Sequence, residues 1–317
     1  MSYLKPMSFK GLNTYSLFDR PSKVSVNDFA DAAAPGLSMK DFLSRLPRQL
    51  AASDLIEVAR SWTEAVRSGN RIIFAMGAHV IKVGLNPVLI DLMERGLISA
   101  FAINGAGIIH DSEIAMAGKT SEDVATVLRS GAFGAARETG EFLNQAINQA
   151  ASTGHGLGQT VGRRLVEEGF PHNDMSLLAS AARLDIPVTV HVAVGTDIIH
   201  IHPSADGASI GKASYLDFKL FCSLVAGLQG GVYFNVGSAV LLPEVFLKAL
   251  TAVRNLGFDV TRFVTVNLDF IRQYRPLTNV VNRPTLEGGK GYNFTGHHEI
   301  MIPLLASAVL EELASAG

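Results

Sequence analysis

Residues 186–207 read IPVTVHVAVGTDIIHIHPSADG. The run VTVHVAV is apolar at almost every position and rich in β-branched side chains, which favour a pleated strand. A strand that is apolar on both faces has to be covered on both faces, as in a parallel sheet sandwiched by helices. Gly195 and Thr196 close the run, and Asp197, His200, His202 and Asp206 follow at once. Titratable residues crowded beyond a buried strand mark the place where an open α/β sheet binds ligands.

The rest of the chain repeats this alternation. RIIFAMG (71–77), ISAFAING (98–105), VYFNVG (232–237) and FVTVNL (263–268) read as further buried strands. PVLIDLMERG, MSLLASAARLD, YLDFKLFCSLVAGL, PEVFLKALTAVRNLG and IMIPLLASAVLEELA carry apolar residues at helical spacing. MKDFLSRLPRQLAASDLIEVARSWTEAV is helical in two pieces broken at Pro47, and 121–151 is mostly helical with a Gly/Ala-rich break. The pattern predicts an α/β fold, a Rossmann-like and mainly parallel sheet with helices on both faces. Residues 1–37, polar and punctuated by Pro and Gly, read as an N-terminal arm, and 38–317 as a single domain.

Composition excludes several classes. The chain has 317 residues, 48% hydrophobic and 18% charged, which excludes a disordered protein. A net charge of −2 leaves no electrostatic footprint for nucleic acid. The one cysteine, Cys222, cannot form an internal disulfide and sits in an apolar helical stretch. With no signal-like leader and no apolar run of membrane-spanning length, the expected location is the cytoplasm.

Three further stretches carry chemistry. In NGAGIIHDSE, the small residues Gly105, Ala106 and Gly107 let a ligand approach the backbone just past a strand, and His110, Asp111 and Glu113 could accept sugar hydroxyls. GLGQTVG (156–162) follows a helical stretch rather than a strand, so it reads as a loop before a helix and not as a dinucleotide fingerprint. His200 and His202, two apart on an extended chain, would face one way and with His191 could ligate zinc or iron; hydrogen bonds to a polar ligand are the alternative. EGGKGYNFTGHHE (287–299) sets Lys290 between glycines, an amine free to reach a ligand, and places Glu299 near the start of the closing helix.

Together these segments resemble the deoxyhypusine synthase family. Its TAGGVEED is echoed by residues 104–111, IFLGYTSNLISSG by 73–84, IPVFSPALTDG by 186–197, its strand into YINT by 264–267, and ADASLVFPLLVAE by 296–306, all in the same order. HIHPSADG is an insertion, and residues 237–242 lack the family's paired histidines. The resemblance implies a homotetramer that uses NAD to oxidise spermidine. It then traps the imine on a lysine and passes the aminobutyl group to an acceptor amine, on a protein lysine or a small molecule. Oxidation makes the carbon electrophilic, and a desolvated amine can attack it. By this resemblance NAD would be bound by Asn104, Gly105, Ala106, Gly107, His110, Asp111, Asp197, Asn267 and His297. Lys290 would be the nucleophile, and His200, His202, Asp206, Glu287 and Glu299 would line the amine pocket. The expectation is an NAD-dependent transferase of this type. A metal-dependent lyase or hydrolase on His191, His200 and His202, or a non-catalytic NAD-binding protein, stand as alternatives.

Overall fold

Among the described residues, the β-branched and aromatic runs form six strands: β1 (Ile72–Met76), β2 (Ala100–Asn104), β3 (Val188–His191), β4 (Val232–Val236), β5 (Val264–Asp269) and β6 (Lys290–Thr295). They make one sheet in the order β3-β2-β1-β4-β5-β6 with every neighbouring pair parallel, the Rossmann order. The computed structural model describes residues 3–315.

Helices α1 (Met39–Ser44) and α2 (Leu50–Arg67) precede β1, and α3 (His79–Lys82) and α4 (Asn86–Glu94) lead to β2. The long crossover to β3 holds α5 (Gly105–Ala117), α6 (Val124–Val127), α7 (Arg137–Thr153), α8 (Leu157–Glu168) and α9 (Leu177–Arg183). Then α10 (Gly207–Ala226) precedes β4, α11 (Leu241–Asn255) precedes β5, α12 (Tyr274–Pro276) precedes β6, and α13 (His298–Ser315) follows it.

Strand periodicity splits the core in two. Phe74, Met76, Phe101, Ile103, Phe234 and Leu268 pack with residues of α2, α4, α5 and α13. Ile73, Ala75, Ala100, Ala102 and Tyr233 point the other way, under α10 and α11. Trp62, the only tryptophan, lies in the first layer 4.6 Å from the Phe234 ring and donates its indole N–H to the Leu97 carbonyl at 2.7 Å.

Three stretches differ from expectation. Residues 290–295, which carry no strand pattern in the sequence, form β6; it pairs in register with β5, from Lys290↔Val264 to Thr295↔Asp269, and buries only Tyr292 and Phe294. An edge strand with glycine inside it carries little periodic signal. The strand expected over 186–194 stops at His191, because its partner β2 ends at Asn104 and turns into α5, while Val192 N–H donates to Ser214 on α10. GLGQTVG is the start of α8, where Gly158 and Gly162 let the helix approach backbone: a Cβ would run into the Val188 and Leu178 carbonyls.

Two buried aspartates tie these helices down. Asp111, on α5, accepts from Leu177 N–H (2.8 Å), Leu178 N–H (3.0 Å), Ser176 Oγ (2.6 Å) and Asn86 Nδ2 (2.9 Å), filling the N-terminus of α9. Asp217, on α10, accepts from Val190 N–H (2.7 Å) and Gly158 N–H (3.0 Å), strapping β3 to the first turn of α8. Each satisfies helix-terminal N–H groups that have no partner within their own helix.

Trp62→Phe keeps most of the packing but strands the buried Leu97 carbonyl, so the denaturant midpoint should fall by an amount equivalent to about 1–3 kcal/mol. Burial pushes the Asp217 carboxyl up to about 7, against its backbone donors. The native state therefore binds a proton that the unfolded chain releases between pH 7 and the ordinary carboxylate range, and stability rises as pH falls through that window. Measured by urea unfolding, the stability of the wild type relative to Asp217→Asn should increase by ~2–3 kcal/mol from pH 8 to pH 5. A gap independent of pH would mean that Asp217 is charged throughout.

Candidate functional site

Because all six strands are parallel, their carboxyl ends form one rim, where a sheet of this order binds ligands. Over β2 and β3 the rim opens into a cavity of about 520 Å³, within the usual range for small-molecule sites. Ala106, Ile109, His110 and Glu113, at i, i+3, i+4 and i+7 on α5, form one wall. Lys119, Thr120, Ser121 and Glu122 form another, turned back against α5 by Gly118 at φ 66°. Lys82, the Thr196–Ile198 segment and the apolar side chains of Val124, Phe133 and Ala136 complete it.

Asp197 lies over the first turn of α5, so close that a Cβ on Gly105 would run into its carboxylate. Its Oδ2 is buried without a hydrogen-bond partner. Burial pushes its carboxyl above the ordinary value, against the opposing pull of His200 and Thr196. His200 Nδ1 accepts from the N–H groups of Gly195 (3.1 Å) and Asp197 (3.2 Å). Its proton therefore sits on Nε2, which is also buried and unpartnered, 4.0 Å from Asp197 Oδ2. An open acceptor and an open donor thus stand side by side.

Beside them runs a chain of side chains. Thr120 Oγ1 is 2.7 Å from His110 Nδ1 and donates to Glu113 Oε2 at 2.5 Å, while Thr139 Oγ1 donates to Glu113 Oε1 at 3.1 Å. Desolvation, then the nearby Lys82, lower the His110 pKa, with Glu113 opposing.

A second cluster occupies the rim over β1, β5 and β6. The His79 ring is 5.4 Å from His298 and 5.6 Å from Phe270, and Phe270 stacks at 9° and 6.3 Å on His297. His298 is fully buried, with Nε2 4.0 Å from Asp269 Oδ1 and Nδ1 unpartnered. Short helix α3 joins the clusters, carrying His79 into one and Lys82 into the other.

The structure gathers Gly105, Ala106, His110, Asp197 and His200 around or beside the cavity and puts His297 and Glu299 in the second cluster, with His297 Nδ1 3.7 Å from Glu299 Oε1. The other expected site residues have different employment. Asn104 caps α5 by accepting the Gly107 N–H at 3.0 Å, which removes a donor that a phosphate would need. Asp111 is the buried plug of α9 described above. Asp206 caps α10, accepting from Ala208 and Ser209 N–H and from Ser209 Oγ. Asn267 is the middle of an in-register ladder, accepting from Asn235 at 2.8 Å and donating to Asn293 at 2.9 Å.

Lys290 is the largest departure. It is the first residue of β6, at the amino end of the sheet, and β6 lies four strand spacings, roughly 19 Å, from β2. Its ammonium pairs with Glu57 at 3.0 Å, and that hydrogen bond, with Tyr292, raises its pKa. An exposed ammonium held in this way is not a desolvated nucleophile. Glu287 is exposed in the loop leading into the same strand.

The three histidines of the metal alternative, His191, His200 and His202, do not converge. Residues 198–201 are a 3₁₀ turn, on which i and i+2 diverge, rather than a strand. His202 Nδ1 is 2.6 Å from Ser204 Oγ, and its ring fills the space above Gly140. His191 is buried against Phe221 and 3.1 Å from Thr189 Oγ1, its pKa pushed down to about 3 by burial. Among the described residues, no group of three or more His, Cys, Asp or Glu forms a metal-ligand set. Sequence reasoning missed Thr120, and it marked the strand-end segments MGAHVIKVG and NLDF without giving a role to His79, Lys82 or Asp269 within them; His298 was visible only as half of a His-His pair.

Among the described residues, no helix is long and apolar enough to cross a membrane. The sequence matches no protein-family model and no curated protein. Among solved structures, it is similar to AgrE in its ternary complex with ornithine and NAD+, with a TM-score of 0.53 and 15% identity over 84% of this chain and 34% of AgrE. It is also similar to a conserved protein of Methanococcus maripaludis S2, provisionally described as LOR/SDH, with a TM-score of 0.52 and 15% identity over 83% of this chain and 71% of that one. A provisionally described deoxyhypusine synthase from Entamoeba histolytica aligns over 87% of this chain and 94% of its own, at 10% identity and a TM-score of 0.47, too low to carry an argument. The chain spans only about a third of AgrE, and at these identities the likeness shows a shared Rossmann-like α/β fold.

Proposed function

We propose that the protein is an enzyme that binds a nicotinamide dinucleotide along the carboxyl rim of the sheet and acts on a small amine in the cavity beside α5. The observation that carries this reading is Asp197 Oδ2, a buried carboxylate oxygen with no partner in the protein, at a cavity on the end of the sheet where ligands bind. A buried acceptor left open costs about 1–3 kcal/mol unless a ligand fills it. That the AgrE structure of this fold was solved with ornithine and NAD+ supports the same reading.

The residues fit the dinucleotide in a particular way. The first turn of α5 is capped by Asn104 and overlaid by Asp197, so it offers an acceptor for a ribose hydroxyl rather than bare N–H groups for a pyrophosphate. His200 Nε2–H, beside it, would donate to the same hydroxyl or its neighbour. At the β1/β4 switch point, Gly77 and Gly237 lie so close that a Cβ on Gly77 would run into the Gly237 carbonyl, and the aromatic and imidazole rings of the second cluster border them. When bound, the dinucleotide would supply a two-electron acceptor. The chain's own contribution is to hold it, orient the amine and exclude water. Transfer of an aminobutyl group from spermidine through a lysine imine would be one version of such chemistry. Lys82 and Lys119 line the cavity, so they rather than Lys290 would be the amines within reach.

Calorimetry with NAD+ tests this. Saturable binding is expected, and Asp197→Asn should weaken it roughly tenfold, equivalent to ~1.4 kcal/mol. No binding of NAD+ at millimolar concentration would overturn the reading. Lys290→Ala should leave the Kd for NAD+ within about twofold and cost less than about 1 kcal/mol of stability, as expected for loss of an exposed ion pair. A large loss of binding in that variant would return Lys290 to the site.

A further inference from the structure

The hydrogen bonds around His110 fix more than its position. Glu113, as a carboxylate, can only accept, and it receives hydroxyl protons from Thr120 and from Thr139. Thr120 has one proton, given to Glu113, so toward His110, 2.7 Å away, its oxygen can only accept. His110 must then carry its proton on Nδ1, which leaves Nε2 with a bare lone pair. His200, beside Asp197, is fixed the opposite way by the backbone donors on its Nδ1.

We propose that His110 is the proton acceptor for the ligand of this cavity, held in its less common tautomer by Thr120 and Glu113, and that the ligand is a small molecule bearing a primary ammonium and an anionic group. This rests on reading the cavity as the substrate site. His110 Nε2, left with a lone pair by this tautomer, and the buried, unpartnered Asp197 Oδ2, whose second lone pair remains when the first accepts a ribose hydroxyl, belong to residues that line one cavity, and a group that satisfies two acceptors must bring at least two protons. A primary ammonium does so; an ether, ketone or single hydroxyl does not. Lys82 and Lys119, which line the same cavity, would hold a carboxylate or phosphate at the ligand's other end. The step itself is one proton transfer. A ligand N–H bond breaks, an Nε2–H bond forms, and the amine nitrogen keeps the electron pair, becoming neutral and able to support loss of hydride or attack on a carbon.

The groups facing His110 are Lys82 on α3, Glu113 on its own helix, Lys119 and Glu122 on the following loop, and Asp197 beyond β3. Burial and Lys82 keep the imidazole neutral below its ordinary pKa, so the lone pair is free at neutral pH. Thr120 and Glu113 do not face the ligand as bases. They position His110, as the third member of a catalytic triad orients its histidine.

The tautomer can be read directly from the imidazole nitrogen shifts of ¹⁵N-histidine-labelled full-length protein, with the His110 signals assigned by their loss in His110→Gln. Wild type and Thr120→Ser should show Nδ1–H with bare Nε2, and Thr120→Val should move most of the population to Nε2–H. An Nε2–H form in the wild type, or a tautomer unchanged in Thr120→Val, overturns the relay. The ligand class is probed with ω-amino acids of two to five carbons and with alkylamines of the same length. The amino acids should shift the His110 signals saturably and at least about tenfold more tightly than the alkylamines, and this preference should vanish in a Lys82→Ala, Lys119→Ala double variant. Equal binding of the two series, or no response to either, overturns the ligand assignment. None of these readings uses NAD+. A protein with this tautomer and this preference but no affinity for NAD+ would lose the proposed function and keep the inference.

Discussion

All six strands run in one direction, and everything distinctive about this protein follows from that constraint. Parallel strands deliver their carboxyl ends to a single rim, and the helices that leave β2 and β6 present their N-termini there. An α-helix N-terminus carries unpaired N–H groups and a partial positive charge, so such a rim favours acceptors and anions. The chain answers with aspartates. Their differing fates separate what holds the fold from what serves a ligand.

Asp217 is completely buried, takes its two backbone donors on Oδ2 and leaves Oδ1 unpartnered; Asp111, also completely buried, has both oxygens filled, closing the N-terminus of α9. Asp206 does the same at the surface for α10. Asp197 lies over an N-terminus too, yet one of its oxygens is buried with nothing to accept from, and the His200 nitrogen next to it has nothing to donate to. Burial without satisfaction is expensive, and a protein keeps such groups where something else completes them. Asp217 leaves an oxygen open as well, but within α10 and away from the lining of the cavity beside α5, whereas Asp197 leaves its oxygen open in a residue that lines it.

The cavity shows how few elements are needed to place a site. A single stripe of α5 supplies Ala106, Ile109, His110 and Glu113, and one left-handed glycine, Gly118, returns the chain so that Thr120 meets both titratable side chains. Thr139 reaches Glu113 from α7, far along the chain. The opposite end of the sheet holds a different kind of polar group. There Lys290, Glu57 and Tyr292 form an ion pair and hydrogen bonds between the edge strand and α2, which fasten the edge and leave no reactive amine.

Much of the fold was legible in the sequence, because buried parallel strands must be apolar on both faces and amphipathic helices must repeat near 3.6 residues. Five of the strands stand out in this way, and so does the segment after β3 that proved to hold Asp197 and His200. β6 was hidden because an edge strand buries only alternate residues, and glycine within it blurs even that pattern. The site was less legible. Asp111, Asp206 and Asn267 have the residue types of a binding site and do structural work instead, since local sequence cannot say whether an aspartate faces a neighbouring helix or an open cavity. Lys290 looked like a free amine between glycines until strand pairing placed it at the far end of the sheet beside Glu57. By itself, then, the sequence determined the α/β class, the alternation of elements and the rim segments where ligands would gather. Tertiary structure alone decided which polar groups are satisfied and which are left open, because hydrogen-bond partners come from residues distant in the chain, and only the packed fold brings them within reach.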